Sequence, residues 1–270
     1  MNAVAKTAYY CCGVRAADAK SANPVCGDTF AERFMTAEGR AAFYHFDKPE
    51  YRDPNKSNAV RARIIDDILR GEIAARPDVP VFIVGAGFDT RAFRLGGGRW
   101  FEFDQPGLIK TKNALLPASE CPNPLQRIPV VFEKGELEKK LSKWAGTKDA
   151  IVVLEGVSQY LTQDQLAETL RILSAALPQH KLICDLMNER FRLKYTGKFR
   201  EELRKLGTDF ETLSYRPELT VINAGYRLLS SVSVVGRACE LGAIRIPRLL
   251  LMTFLRSLRD DYRVYRFDAV

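Results

Sequence analysis

The sequence is poor in histidine, in paired cysteines and in uninterrupted apolar runs, and each shortage excludes something. His45 and His180 are the only two histidines in 270 residues, so a general base of the usual kind is scarce. The six cysteines, Cys11, Cys12, Cys26, Cys121, Cys184 and Cys239, form no CxxC pair and have no zinc spacing, which leaves reduced thiols in a cytoplasmic protein as the expectation. No basic-then-apolar signal pattern opens the chain. The longest apolar stretch, Ile244 to Leu258, is broken by Arg245, Pro247, Arg248 and Arg256. It is too short and too charged to span a bilayer, and predicts a helix against the core. Neither an internal repeat nor a low-complexity linker divides the chain, so its length predicts one domain, residues 1–270, carrying a cap.

Composition is that of a soluble globular protein, 46% hydrophobic and 27% charged. Lys and Arg number 41 against 33 Asp and Glu, a net charge of +8. Much of the excess lies between Arg190 and Arg266, and the charges are scattered. A solvated basic surface is the reading preferred to a nucleic-acid site, with attraction of an anionic substrate as a further one. A small-molecule acceptor is expected as partner, with no nucleic acid and no membrane; oligomeric state is not legible.

What is present is concentrated in Val81-Phe-Ile-Val-Gly-Ala-Gly-Phe-Asp-Thr90 and Trp100-Phe-Glu-Phe-Asp104. Four apolar residues without polar alternation predict a parallel strand covered on both faces. Gly85 and Gly87 let the backbone turn sharply and approach a ligand closely. Asp104 ends the next strand, where α/β folds place an acid to hold two ribose hydroxyls. Thr90 stands where the dinucleotide fingerprint needs its third glycine. A pyrophosphate on a helix N-terminus is therefore disfavoured, and a cofactor without phosphates, such as S-adenosylmethionine, fits better.

Helical spacing over Asn58 to Ile73 sets Val60, Ile64, Ile65 and Ile68 on a buried stripe. Arg63 has Asp66 and Asp67 within reach as a surface ion pair. Arg61 has only Ile64 and Ile65 at those spacings, so its charge needs a partner elsewhere. Ala150 to Glu155 predicts a fourth strand ending in a second acid, and a buried acid also needs a partner, which a cofactor ammonium would supply. Thr162-Gln-Asp-Gln165 matches a capping box ahead of a leucine stripe at 166, 170, 173 and 177. Arg127 to Phe132 predicts the third strand, Lys181 to Met187 the fifth, and Tyr226 to Val235 with Tyr262 to Phe267 the last two. His180 falls in a turn and is expected at the surface.

Gly85 to Leu95, Phe101 to Pro106 and Leu154-Glu-Gly-Val-Ser-Gln-Tyr-Leu161 resemble, in order, motifs of the leucine carboxyl methyltransferase family. Thr7 to Ala19 and Arg61 to Asp67 resemble its N-terminal and arginine-bearing helices. The resemblance implies a class I methyltransferase fold: a Rossmann-like seven-stranded sheet, mostly parallel with the last strand antiparallel. An N-terminal helical cap, residues 1–57, and a helical insertion, residues 188–225, would flank it. It also implies S-adenosyl-L-methionine as cofactor, with Arg61 holding the methionyl carboxylate and Glu155 beside the methionyl part. Val131 stands where family members commonly place an acid for the adenine amine. Glu133 in a shifted register, or apolar contact with backbone groups, would have to serve instead.

Residues 29–51 are dense in aromatics: Phe30, Phe34, Phe43, Tyr44, Phe46 and Tyr51. They are read either as core or as the wall of an acceptor pocket. Tyr160 and Ser158 are expected near the reaction centre, and His45 as a base within the aromatic segment. Arg15 and Arg91 are read as grips for an anionic acceptor or as structural ion pairs. Methyl transfer from a sulfonium needs alignment and exclusion of water, and no metal. A carboxylate acceptor needs only positioning, whereas a phenol benefits from proton removal. The expected activity is O-methylation of a small carboxylic acid or phenol in secondary metabolism. A cofactor-binding module without catalysis, acting as partner or scaffold, is the alternative, and a nicotinamide oxidoreductase the reading disfavoured by Thr90.

Overall fold

The computed structural model describes residues 3–47, 52–211 and 214–270, so Tyr51 of the aromatic segment lies outside the described residues. Three helices, α1 (Ala3–Ala19), α2 (Ala37–Phe46) and α3 (Arg52–Ala75), precede the first strand. Strands β1 (Pro80–Val84), β2 (Arg99–Asp104), β3 (Leu125–Pro129), β4 (Ile151–Leu154) and β5 (Lys181–Met187) then alternate with α4 (Arg91–Arg94), α5 (Pro106–Leu115), α6 (Glu136–Leu141) and α7 (Gln163–Ala176). After β5 come α8 (Glu189–Tyr195), α9 (Gly197–Lys205) and α10 (Glu218–Asn223). Strand β6 (Tyr226–Ser233) follows, then α11 (Val234–Glu240), α12 (Arg248–Met252), α13 (Arg256–Asp260) and β7 (Tyr262–Ala269).

The seven strands form one sheet in the order β3-β2-β1-β4-β5-β7-β6. β1 to β5 pair in parallel, and β7 runs against both β5 and β6. β1 and β4 are buried throughout, as their unbroken apolar runs require of central parallel strands. Side chains alternate between two faces. Val81 and Ile83 pack with Val60 and Ile65 on the side of α1 to α3, while Phe82 joins Phe101, Phe103 and Trp144 on the side of α6 and α7.

Several boundaries differ from those expected. β3 ends at Pro129, which cannot donate to a further ladder, and residues 132–134 turn as a 3₁₀ segment. β6 stops at Ser233, whose hydroxyl caps α11 by accepting from Gly236 N. The capping box at Thr162 and Gln165 forms, with both reciprocal bonds present. His180 is fully buried, not at the surface: Nδ1 meets Leu177 O at 2.7 Å and Nε2 meets the Tyr226 hydroxyl at 3.1 Å. The stretch from Ile244 to Leu258 is no single helix against the core. It breaks into α12 and α13: Leu251 is buried, Ile244, Ile246, Leu255 and Leu258 pack partly buried against the core, and Leu249, Leu250, Met252 and Phe254 are exposed. No helix among the described residues is long and apolar enough to cross a membrane.

Candidate active site

The carboxyl ends of β1, β2 and β4 lie side by side, at the edge where open parallel sheets bind ligands. Past β1, Gly85 adopts φ 74° and Gly87 φ 46°, in the left-handed region. A Cβ on Gly85 would stand 2.4 Å from Val157 Cγ2, so the turn rejects other residues on both counts. Asp104, at the end of β2, accepts from Gly87 N at 2.5 Å and Gln105 N at 2.6 Å. It is 6% exposed. Burial pushes its carboxyl pKa up, against the two backbone N–H groups that favour the charge. A carboxylate has about four lone-pair positions, so a ribose diol can still be accepted there.

Helix α1 lies over this turn. Ala8 Cβ is 3.5 Å from where a Gly87 Cβ would be, and Arg15 Nη2 donates to Phe88 O at 2.7 Å. The other end of Arg15 pairs with Asp28 at 2.9 Å. Arg15 thus ties the N-terminal cap to the glycine turn.

From Asp28 a chain of alternating charges runs through the interior. Arg94 bridges Asp28 and Asp66; Arg91 bridges Asp66, Asp89 and Glu155; Arg61 bridges Glu155 and Asp185. Arg61 Nε lies 2.9 Å from one Glu155 oxygen, and Arg91 Nη1 lies 2.6 Å from the other. Burial alone would raise the Glu155 pKa, but Arg91, Arg61 and Arg15 outweigh it and hold the carboxyl down at about 2. Asp185 in turn accepts from Tyr262 OH at 3.0 Å and Gly156 N at 2.7 Å. The partners of Arg61 come from the residue after β4, from β5 and from Tyr262 of β7, which no spacing within α3 could show. The partners of Glu155 are these arginines, which meet the need of a buried acid without an ammonium.

The remaining expected residues separate from this centre. Arg91 is enclosed by three carboxylates and has no face toward an acceptor, so it is a structural ion-pair residue. Tyr44 is 63% exposed, its ring meets Phe43, and it does not line the large cavity. His45 lies at a separate shallow surface pocket with its Nε2 3.3 Å from Glu202, away from the reaction centre. Arg63 pairs with Asp67 at 2.8 Å as its spacing predicts, while Asp66 is buried with Arg91 and Arg94. Ser158 is buried and spends its hydroxyl on Asp185 O at 2.6 Å. The Glu133 side chain lies outside the described residues. Beside Val131, sequence reasoning missed Glu136: its carboxylate accepts from Val131 N at 3.1 Å. The available signal was an acid at the first position of α6, where a helix N-terminus favours negative charge.

Next to Arg61 opens a cavity of about 540 Å³, within the range of small-molecule sites. Thr7, Tyr10 and Cys11 of α1 form one wall, and Gln159 and Tyr160 another. Phe191, Phe199, Phe210 and Tyr262 make its aromatic lining. Arg61, Lys194 and Lys198 are its charged residues, and no Asp or Glu lines it among the described residues. Tyr160 packs edge-on against Phe210, and burial pushes its phenol pKa above the usual tyrosine range, so it stays protonated. Gly85, Gly87 and Asp104 do not line this cavity; α1 spans both regions, with Ala8 over Gly87 and Thr7, Tyr10 and Cys11 on the cavity wall.

Comparison with known proteins gives consistent findings. Residues 8–174 match the model of the leucine carboxyl methyltransferase family. The tetracenomycin polyketide synthesis O-methyltransferase of Streptomyces glaucescens is 27% identical over 202 residues, covering 73% of this chain and 70% of that protein. A putative S-adenosyl-L-methionine-dependent methyltransferase of Mycobacterium tuberculosis H37Rv is 28% identical over 236 residues, covering 78% of this chain and 67% of its own length. Among solved structures, a putative methyltransferase from Thermobifida fusca superposes with a TM-score of 0.61 at 15% identity, over 93% of this chain and 96% of that one. The magnesium protoporphyrin IX methyltransferase of Synechocystis, with bound S-adenosylhomocysteine, gives 0.53 at 11% identity, over 88% of this chain and 97% of that one. At those identities the structural likeness speaks for the fold, which is that of class I methyltransferases.

Proposed function

This chain belongs to the leucine carboxyl methyltransferase family, and we propose that it uses S-adenosylmethionine to methylate an oxygen of a small, largely apolar acid, with a carboxylate as the favoured acceptor. The observation that carries the acceptor reading is the cavity lining: aromatic walls with Lys194 and Lys198, and no described acid. Such a lining attracts an anion and shelters an apolar body. A carboxylate is already ionised at neutral pH and needs no base. Among the described residues lining the cavity there is no His, Asp or Glu, and Tyr160 keeps its proton.

In this reading the Asp104 carboxylate holds the ribose, and Glu136 at Val131 takes the place of the family's acid toward the adenine amine. Arg61, fixed by Glu155 and Asp185, orients the methionyl carboxylate at the cavity wall. The cofactor supplies a methyl group on a sulfonium. Bound there, it would supply that methyl group to an aligned acceptor oxygen, with its sulfur leaving as a neutral thioether. Lys194 and Lys198 hold the acceptor's charge and the aromatic wall excludes water. A role in secondary metabolism accords with the polyketide O-methyltransferase among its relatives.

The second reading, a cofactor-binding module without catalysis, draws on Val131 and on the cover that α1 places over Gly87. One experiment separates the two. The protein is titrated with S-adenosylmethionine by calorimetry, then incubated with a panel of aromatic carboxylic acids and phenols while S-adenosylhomocysteine is measured. Binding with turnover on the carboxylic acids supports the proposal; binding without turnover on any acceptor supports the module. Absence of binding at millimolar cofactor sinks both.

A further inference from the structure

Among the described residues, the most exposed large apolar side chains apart from the terminal Val270 lie between β6 and β7. Leu249 is 75% exposed and Phe254 83%, with Leu250 and Met252 also out in solvent. All four fall within six residues of α12 and the turn after it. Monomeric proteins seldom present so many large apolar side chains together unless something covers them. The adjoining Ile244, Ile246 and Leu258 line the large cavity, and the half-exposed Leu193 lines it from α8. Tyr195 OH, 3.0 Å from Ser257 Oγ, ties α8 to α13 at this rim. The patch is thus continuous with a wall of the cavity.

Charge decides between the possible covers. Residues 190–266 hold sixteen Lys and Arg against eight Asp and Glu, the whole net excess of the chain. Beside the patch, Arg245 is exposed and has no acidic partner among the described residues, and Arg256 has only the surface pair with Asp260 at 3.4 Å. Asp260 and Asp261 are already engaged by Arg259 and Arg190. A second copy of the chain would bring the same positive field against itself. An apolar surface rimmed by negative charge would not.

We propose that α12 and the Thr253–Leu255 turn form a docking surface for an anionic lipid bilayer, inserting Leu249, Leu250, Met252 and Phe254 at the interface with Arg245 and Arg256 at headgroup level. This goes beyond the methyl-transfer reading and stands without it. No span is involved: the segment lies on the surface, as short apolar–basic elements do. If the acceptor is itself apolar, docking sets the cavity rim at the depth where such a molecule partitions. Leu251, Ile244, Ile246, Leu255 and Leu258 pack on the core as the sequence predicts; the proposal departs from the expectation of no membrane only on the exposure of the other four residues.

The test is co-sedimentation of the full chain with vesicles of phosphatidylglycerol and phosphatidylcholine in equal parts, and with pure phosphatidylcholine. Expected is binding to the mixed vesicles that weakens with added salt, and about fivefold loss in Arg245→Glu for each unit of favourable charge removed. A Leu249→Ser/Phe254→Ser double variant should lose at least tenfold while keeping its thermal midpoint, because both residues are exposed. No binding to the mixed vesicles, or equal binding by the variants, overturns the proposal. So does a concentration-dependent dimer in sedimentation velocity that the double variant abolishes, since the occupant is then a second copy.

Discussion

Arg61 and Glu155 meet at 2.9 Å across 94 residues of sequence, joining α3 to the end of β4 at the wall of the cavity. Arg61 is buried and Glu155 is mostly buried, and Arg61 also holds Asp185. Removing one partner from such a network leaves uncompensated charge, at a cost of about 3–5 kcal/mol. Arg61→Ala should therefore lower stability by that order and abolish measurable cofactor binding. Arg63→Ala, which breaks a half-exposed pair with Asp67, should cost about 1 kcal/mol or less and leave binding intact. Urea denaturation and calorimetric titration of the two variants check both parts. Equal effects would remove the distinction between the buried and the surface arginine.

Asp104 is held by the backbone N–H groups of Gly87 and Gln105, so its charge shapes the glycine turn and, under the proposed function, would also accept the ribose diol. Asp104→Asn keeps the volume and one acceptor oxygen but loses the charge. A hydrogen bond to a charged group contributes about 1.5–3 kcal/mol, so cofactor affinity should fall between about tenfold and a hundredfold, with the circular dichroism spectrum unchanged. A variant that binds like the parent takes Asp104 out of the cofactor site.

Glu136 supplies the only described side-chain hydrogen bond at Val131, at 3.1 Å. If its carboxylate receives the adenine amine, Glu136→Ala should weaken S-adenosylmethionine and adenosine alike, by about fivefold to thirtyfold. Methionine, which lacks the base, should compete equally well against both proteins. A loss shared by methionine would mean that Glu136 supports the loop and not the base.

What was legible in the sequence follows the reach of each interaction. Unbroken apolar runs and the two glycines located β1, β4 and the turn, because those signals are local and fixed by backbone sterics. Arg61 could be seen to lack a local acid, yet Glu155 and Asp185 reach it only through the order of the strands. The Arg91 network was out of sight for the same reason: Asp66 is one helical turn from Arg63, and only packing sends it to Arg91 and Arg94. Tyr44 and His45 misled because their aromatic neighbours Phe43 and Phe46 are core, while alternation on α2 turns these two outward. In Ile244 to Leu258, composition alone could not separate side chains that pack from those that stand in solvent.

His180 makes a separate prediction about acid. Burial between Leu177 and Tyr226 lowers its pKa from 6.5 to about 4, and only the Leu177 carbonyl opposes the shift. The folded state therefore binds this proton less readily than the unfolded chain. Its contribution is complete above pH 6.5 and is lost as pH falls toward 4, amounting to about 2 kcal/mol by pH 5. Glu155 works in a lower window, since its pKa falls from 4.5 to about 2, and adds little to the slope above pH 5. Unfolding free energies from urea titration at pH 7.5 and pH 5 should differ by about that amount in the parent protein, with a matching shift of the midpoint. In His180→Gln, which keeps polar atoms near the Leu177 carbonyl and the Tyr226 hydroxyl but cannot be protonated, the difference should shrink to well under half. A midpoint shift as large in the variant as in the parent would assign the acid sensitivity to groups other than His180.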